Sequence, residues 1–210
     1  MKADYFDQKG KKGEAIMLPK EIFDVKPRVK LIAQAIRVNL INSRQGTRST
    51  KGRSDLHYSG RKIYKQKHTG RARHGDRTAN IFMHGAVAHG PKPFARNATM
   101  PRVMKELSIK SALAAVAKDN KIAVIEKLEF SGEGATAKAA KLVEKLGYSK
   151  VTIVRGEKEN TGLGLRNLPF VTVRNAIVLS TYDVATATAL LFTKDALNEL
   201  KVRLEGKNAK

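Results

Sequence analysis

The sequence predicts an α/β fold: a mostly parallel sheet flanked by helices in three layers, with a long extended basic loop inserted between two helices. Three observations predict it. Short apolar runs alternate with stretches of 3.6-residue period through the second half of the chain. Those runs are apolar throughout, as in strands buried on both faces. Ahead of that half, between two stretches of helical period, lies a basic stretch with no period at all.

Residues 5–18 suggest a short hairpin, with Gly10 and Gly13 near its turn and Ala15–Leu18 as the apolar return. Pro27 stands where a helix would start, and Val29, Ile32, Ile36 and Leu40 follow at helical spacing, so an amphipathic helix runs to about Asn42. Pro101 precedes a second helix, about 103–118, with Ile109, Leu113 and Val116 on one face and Asp119-Asn120 as its stop. Ile122–Ile125 reads as a buried strand, Ala135–Leu146 as a helix ended by Gly147, and Val151–Val154 as a strand. Asn160–Leu168 reads as a short helix stopped at Pro169. Val171–Val173 and Ile177–Leu179 are two short strands or one broken element. Asp183 is a candidate cap for a helical turn before strand Ala189–Phe192. Thr193 is the expected N-cap of a last helix, 194–204, with Leu197, Leu200 and Leu204 inward.

This divides the chain into residues 1–43, the interrupting segment 44–102, and the remainder of the α/β body, 103–210. The chain has 210 residues, no Cys and a formal net charge of +22. Residues 44–105 hold 15 Lys and Arg against Asp55 and Asp76 only, a net +13. All five histidines and seven of the sixteen glycines lie there too. A structureless loop of this length inside a domain is either functional or disordered; the expectation is a segment disordered when free and ordered once its charges meet phosphates.

The absence of Cys excludes disulfide frameworks, Cys-ligated zinc and thiol nucleophiles. No dinucleotide fingerprint, Walker A, GxSxG or HExxH motif occurs. His68-x5-His74 and His84-x4-His89 have no neighbouring carboxylate to complete a metal-ligand set, so no metal or other cofactor is expected. Asp55 and Asp76 read as charge balance or turn formers rather than a nuclease pair. No window is apolar enough to span a membrane, and the first 19 residues, carrying Asp4, Asp7 and Glu14, resemble neither a signal nor a transit peptide. A cytoplasmic protein with no catalytic role and no membrane partner is expected.

What remains is binding to a polyanion. Arg44, Arg48, Lys51, Arg53, Arg61, Lys62, Lys65, Lys67, Arg71, Arg73, Arg77, Lys92, Arg96 and Arg102 are the candidate phosphate contacts. Tyr64, with Tyr58, Phe82 and Phe94, is interleaved among them and suited to stack on unpaired bases. The apolar Ile81-Phe82-Met83 is out of keeping with a mere solvated linker. Structured RNA suits a thin segment of this kind better than duplex DNA. Each arm of about 31 residues spans at most about 100 Å, whereas a body of about 148 residues has a radius of gyration of about 15 Å.

Lys65-Gln66-Lys67-His68-Thr69-Gly70-Arg71-Ala72-Arg73, followed by His74-Gly75, resembles the KQKGTGRAR signature of the ribosomal protein L-four family. Gly85-Ala86-Val87-Ala88-His89-Gly90-Pro91 is similar to that family's GGVAHGP, and Lys121–Phe130, Arg166-Asn167-Leu168-Pro169 and Leu191–Leu197 fit as well. The resemblance implies a structural protein of the large ribosomal subunit, located in the cytoplasmic ribosome and not a homo-oligomer. Its partners would be large-subunit ribosomal RNA and neighbouring ribosomal proteins. It implies a loop whose tip, here Gln66, Lys67, His68, Thr69, Gly70 and Arg71, helps line the nascent-peptide exit tunnel near the macrolide region. Nascent peptide would then be a further partner. Some members repress their own operon through its mRNA leader, which gives the alternative of a free regulatory RNA-binding protein. His68 stands where the family commonly has Gly, and Tyr64 where Trp is frequent; a Cβ at position 68 is restrictive if the backbone there has positive φ.

Overall fold

β-Branched and leucine-rich runs generate the centre of the sheet. The computed structural model describes residues 1–8, 10–94, 97–128, 130, 134–148, 150–157, 159 and 162–205. Among these, the strands are β1 (Lys2–Phe6), β2 (Ile16–Met17), β3 (Ile122–Ile125), β4 (Val151–Arg155), β5 (Val171–Asn175) and β6 (Ala189–Thr193). The helices are α1 (Lys20–Phe23), α2 (Val29–Asn42), α3 (Arg102–Lys118), α4 (Ala135–Lys145), α5 (Gly162–Arg166), α6 (Thr181–Thr186) and α7 (Lys194–Glu205). The sheet order is β2-β1-β3-β6-β4-β5. All neighbours are parallel except β1 and β2, where Lys2 faces Met17 and Ala3 faces Ile16.

The period of two along each strand sorts the core into two clusters, one on each face. Ile122 and Val124 of β3, Leu190 and Phe192 of β6 and Val154 of β4 point to one face. There they meet Ile22 and Phe23 of α1, Leu113 of α3, Val184 of α6 and Leu200 of α7. Ala123, Ile125, Leu191 and Ile153 point to the other, against Leu142 and Val143 of α4 and Leu165 of α5. This is the three-layer α/β arrangement that the apolar runs predict.

Local chemistry sets the ends of the elements. Asn120 adopts φ +54 after α3, with the Asn120 N–H donating to the Ala117 carbonyl and the Lys121 N–H to that of Val116, so the helix stops in a Schellman turn. Thr193 caps α7 as expected, its Oγ1 accepting the Ala196 N–H at 3.2 Å. The α6 cap is Ser180 rather than Asp183: the Asp183 N–H donates to Ser180 Oγ, and the Asp183 carboxylate accepts the Ser180 N–H in return, a capping box.

Two further readings are corrected. The first strand begins at Lys2, earlier than residue 5. Ile177–Leu179 is not a strand: the Val178 N–H donates to Asn175 and closes a turn, leaving Ile177 and Val178 45 % and 70 % exposed. The stripe on α2 is present, yet none of its residues is buried; Ile32 alone of the four is partly buried against the core. Of the helix read at 160–168, Asn160 and Thr161 lie outside the described residues.

The chain divides into two compact units, Met1–Asn39 with Thr99–Lys210, and Leu40–Ala98. Both hydrophobic clusters belong to the first. In the second, the described residues carry one 3-10 turn, Arg53–Asp55, beyond the end of α2.

Candidate nucleic-acid interface

Without a periodic apolar face, the 40–98 unit is held by hydrogen bonds between its two arms. The Asn42 side chain donates to the Ala98 carbonyl at 3.0 Å and accepts the Ala98 N–H at 2.8 Å. The Phe94 N–H donates to Gly46 (3.2 Å), the Thr50 N–H to Pro91 (3.0 Å) and the Val87 N–H to Lys51 (3.1 Å). Further along, Lys62 Nζ donates to the His74 carbonyl, the Ile63 N–H to Gly75, and the Tyr64 hydroxyl to Ala72. The arms therefore run antiparallel, and they meet at His68, Thr69 and Gly70. His68 and Gly70 both have positive φ there, +64 and +62. The family's Gly position thus has the left-handed conformation that glycine favours, and His68 holds it with a side chain attached, at a cost of about 1–2 kcal/mol.

Midway, Thr78 and Ala86 form a small buried centre, the Ala86 N–H donating to the Thr78 carbonyl. Arg53 Nη2 pairs with Asp76 at 2.7 Å, and Thr78 Oγ1 donates to the other Asp76 oxygen at 2.6 Å. The Thr78 hydroxyl, with Arg53, holds the Asp76 carboxyl below its ordinary value of 3.8. A depressed carboxylate pKa stabilises above the unfolded value and is lost as pH falls through the folded one. The Arg53–Asp76–Thr78 cluster should therefore persist at neutral pH and loosen only below about pH 4. Following the Asp76 and Thr78 NMR shifts against pH tests this; an Asp76 midpoint above 3.8 would contradict it.

Asp55 accepts the Gly52 N–H at 2.9 Å and shapes the 3-10 turn. Among the described residues no three His, Cys, Asp or Glu side chains assemble into a metal-binding group.

The candidate residues take distinct places. Arg44, Arg48, Lys51, Arg61, Lys65, Lys67, Arg71, Arg73, Arg77 and Lys92 are exposed, and no side chain of these ten makes an ion pair or hydrogen bond among the described residues. Arg53 and Lys62 serve the arm's own structure, and Arg102 pairs with Glu106 at 3.0 Å at the start of α3. Arg96 lies outside the described residues. Gln66 to Arg71 occupy the turn. Tyr64 is half-buried, edge-on to His74 at 6.2 Å, and His74 is edge-on to Phe82 at 5.0 Å. Those two aromatics support the arm from within, while Tyr58 and Phe94 keep exposed faces.

One grouping escaped the sequence reading. Arg44, Gly46, Thr47, Arg48, Pro91, Lys92 and Phe94 surround an open cup of about 570 Å³. The only hint of it was Pro91-Lys92-Pro93-Phe94 lying opposite Arg44–Arg48 in an arm that turns at residue 69.

The model of the Ribosomal protein L4/L1 family matches residues 16–203. The chain belongs to that family. It is 38 % identical over 188 residues to the large ribosomal subunit protein uL4 of Aquifex aeolicus, covering 88 % of this chain and 94 % of the relative. It is 35 % identical over 207 residues to the protein of the same name from Beijerinckia indica, covering 98 % and 100 %. The similarity to the latter spans the α/β elements and the arm together. None of the described helices is long and apolar enough to cross a membrane.

Proposed function

We propose that this chain, a structural constituent of the large ribosomal subunit and not an enzyme, binds large-subunit ribosomal RNA through the 44–102 segment. The observation that carries the proposal is the arm itself. Ten exposed cations, their side chains without partners among the described residues, lie on two antiparallel segments, and Asp55 and Asp76 are engaged inside the arm. Such cations repel one another unless counter-charge is supplied, and closely placed phosphates supply it. Arg side chains fork onto two phosphate oxygens, while Lys acts as a point charge. Screening of neighbouring phosphates lets RNA segments approach, which is the contribution to subunit assembly. The body, residues 1–43 and 103–210, anchors the arm, and neighbouring ribosomal proteins are its protein partners. The chain acts as a single copy.

Stoichiometric sedimentation with large subunits, surviving a moderate salt wash, is the expected behaviour. A chain found only in free messenger-RNA complexes would instead favour the regulatory reading.

The turn at Gln66 to Arg71 is the part proposed to line the exit tunnel and meet nascent peptide. On that proposal, His68→Gly should leave subunit yield unchanged, because glycine adopts φ +64 without strain. Removing the imidazole should at the same time shift macrolide inhibition. Coincident inhibition curves would take residue 68 off the tunnel wall.

A further inference from the structure

The cup between the two arms lies away from the signature turn. We propose that it seats one unpaired RNA nucleotide, with the phosphate held by Arg44, Arg48 and Lys92 and the base laid against the Phe94 ring. The proposal rests on the reading of this segment as an RNA-binding arm and assigns a specific recognition site within it.

Four observations lead there. First, the cup is built rather than accidental. The Phe94 N–H donates to the Gly46 carbonyl, and the Thr50 N–H to that of Pro91, so both walls are fixed by backbone. Gly46 has φ +66, and a Cβ there would run into the Phe94 carbonyl oxygen, so the walls approach as closely as only glycine permits. Second, Phe94 is 66 % exposed. A phenyl ring left in water offers a flat apolar face, and every base can stack on it. Third, Arg44, Arg48 and Lys92 line the same cup and have no partner among the described residues. Three free cations beside an unoccupied aromatic face call for an anion with a flat apolar part. Fourth, about 570 Å³ lies within the range of small-ligand sites and is ample for one nucleotide. A base inside a duplex has no free face to offer the ring, so the occupant must be unpaired.

The test uses the full chain and a fluorescent oligoadenylate of about 12 nucleotides, single-stranded or annealed into a duplex, titrated at several salt concentrations. Phe94→Leu should weaken single-strand binding by about 5- to 160-fold, leaving the salt slope and duplex binding unchanged. Phe94→Trp should restore or tighten it. Arg48→Gln should lower the single-strand slope by about 0.7. Since Phe94 is largely exposed, these variants are expected to fold, and circular dichroism checks that. Equal losses on single strand and duplex would overturn stacking. Effective competition by an acidic peptide would overturn a nucleotide as the occupant. Suppose Phe94→Leu changes nothing while Gln at Lys65, Lys67 and Arg71 together lowers the slope: the cup then fails and the arm stands. If neither set changes RNA binding, the arm reading fails as well.

Discussion

Excising residues 52–86 and joining Lys51 to Val87 through an Asn-Gly turn should give a folded protein with most of its salt-dependent RNA affinity gone. The junction is geometrically available, since the Val87 N–H already donates to the Lys51 carbonyl at 3.1 Å. A two-residue Asn-Gly link suits antiparallel ends of this kind. The excision removes Arg53, Arg61, Lys62, Lys65, Lys67, Arg71, Arg73 and Arg77 with Asp55 and Asp76, and takes the formal charge from +22 to +16. Each phosphate contact contributes about 0.7 to the log–log slope on single strands, so engagement of most of the eight removes about 4 to 6 from it. Charge alone would predict a smaller change, because the chain stays strongly basic. The prediction thus separates position from quantity. Neither hydrophobic cluster includes a residue of the excised segment, so thermal unfolding of the α/β unit should be unaltered. Salt titrations of the intact and excised chains decide the matter. An unchanged slope would mean that the contacts lie on the body.

The body was legible where one signal dominated. β3 is four apolar residues in a row, and it is observed at those four positions because buried on both faces it has no polar side to show. Thr193 was legible because a hydroxyl directly before a helical apolar pattern has few other uses. Ile177 and Val178 misled for the converse reason. Apolar β-branched residues suit strands, but here the chain turns back at Asn175, and the pair ends exposed. At the candidate interface, the charge and the turn at Gln66–Arg71 were readable from composition and motif. The pairing of the arms was not. It rests on backbone hydrogen bonds such as Gly46 with Phe94, across nearly fifty residues, and backbone groups carry no mark of their partner in the sequence. Tyr64 shows the same limit: an interleaved aromatic looks free to stack on bases until His74 and Ala72 are seen to hold it.

Phe192→Ala should be among the most costly single substitutions in the body, at about 3–5 kcal/mol of unfolding free energy. β6 lies between β3 and β4, and Phe192 is fully buried on the face shared with α1, α3 and α7. Its ring meets Phe23 edge to face, with centroids 6.4 Å apart and planes at 88°. Truncation therefore loses transfer free energy, leaves a cavity, and removes an aromatic pair worth about 0.5–1.5 kcal/mol beyond burial. Against a typical total of about 5–15 kcal/mol, that leaves a marginal fold. The next residue extends the consequence. Thr193 caps α7 and donates to the buried Glu159 carboxylate at 2.7 Å, so a shift of β6 disturbs the start of that helix too. Phe23→Ala alone and the double substitution complete a cycle, in which coupling of about 0.5–1.5 kcal/mol is expected from the ring pair. Urea unfolding measures all three. A cost below about 1 kcal/mol for Phe192→Ala would mean that the face around β6 is not closely packed. Under conditions where the variant remains folded, its salt slope with RNA should match that of the intact chain, since Phe192 lies in the α/β unit and the exposed candidate cations from Arg44 to Lys92 lie on the arm.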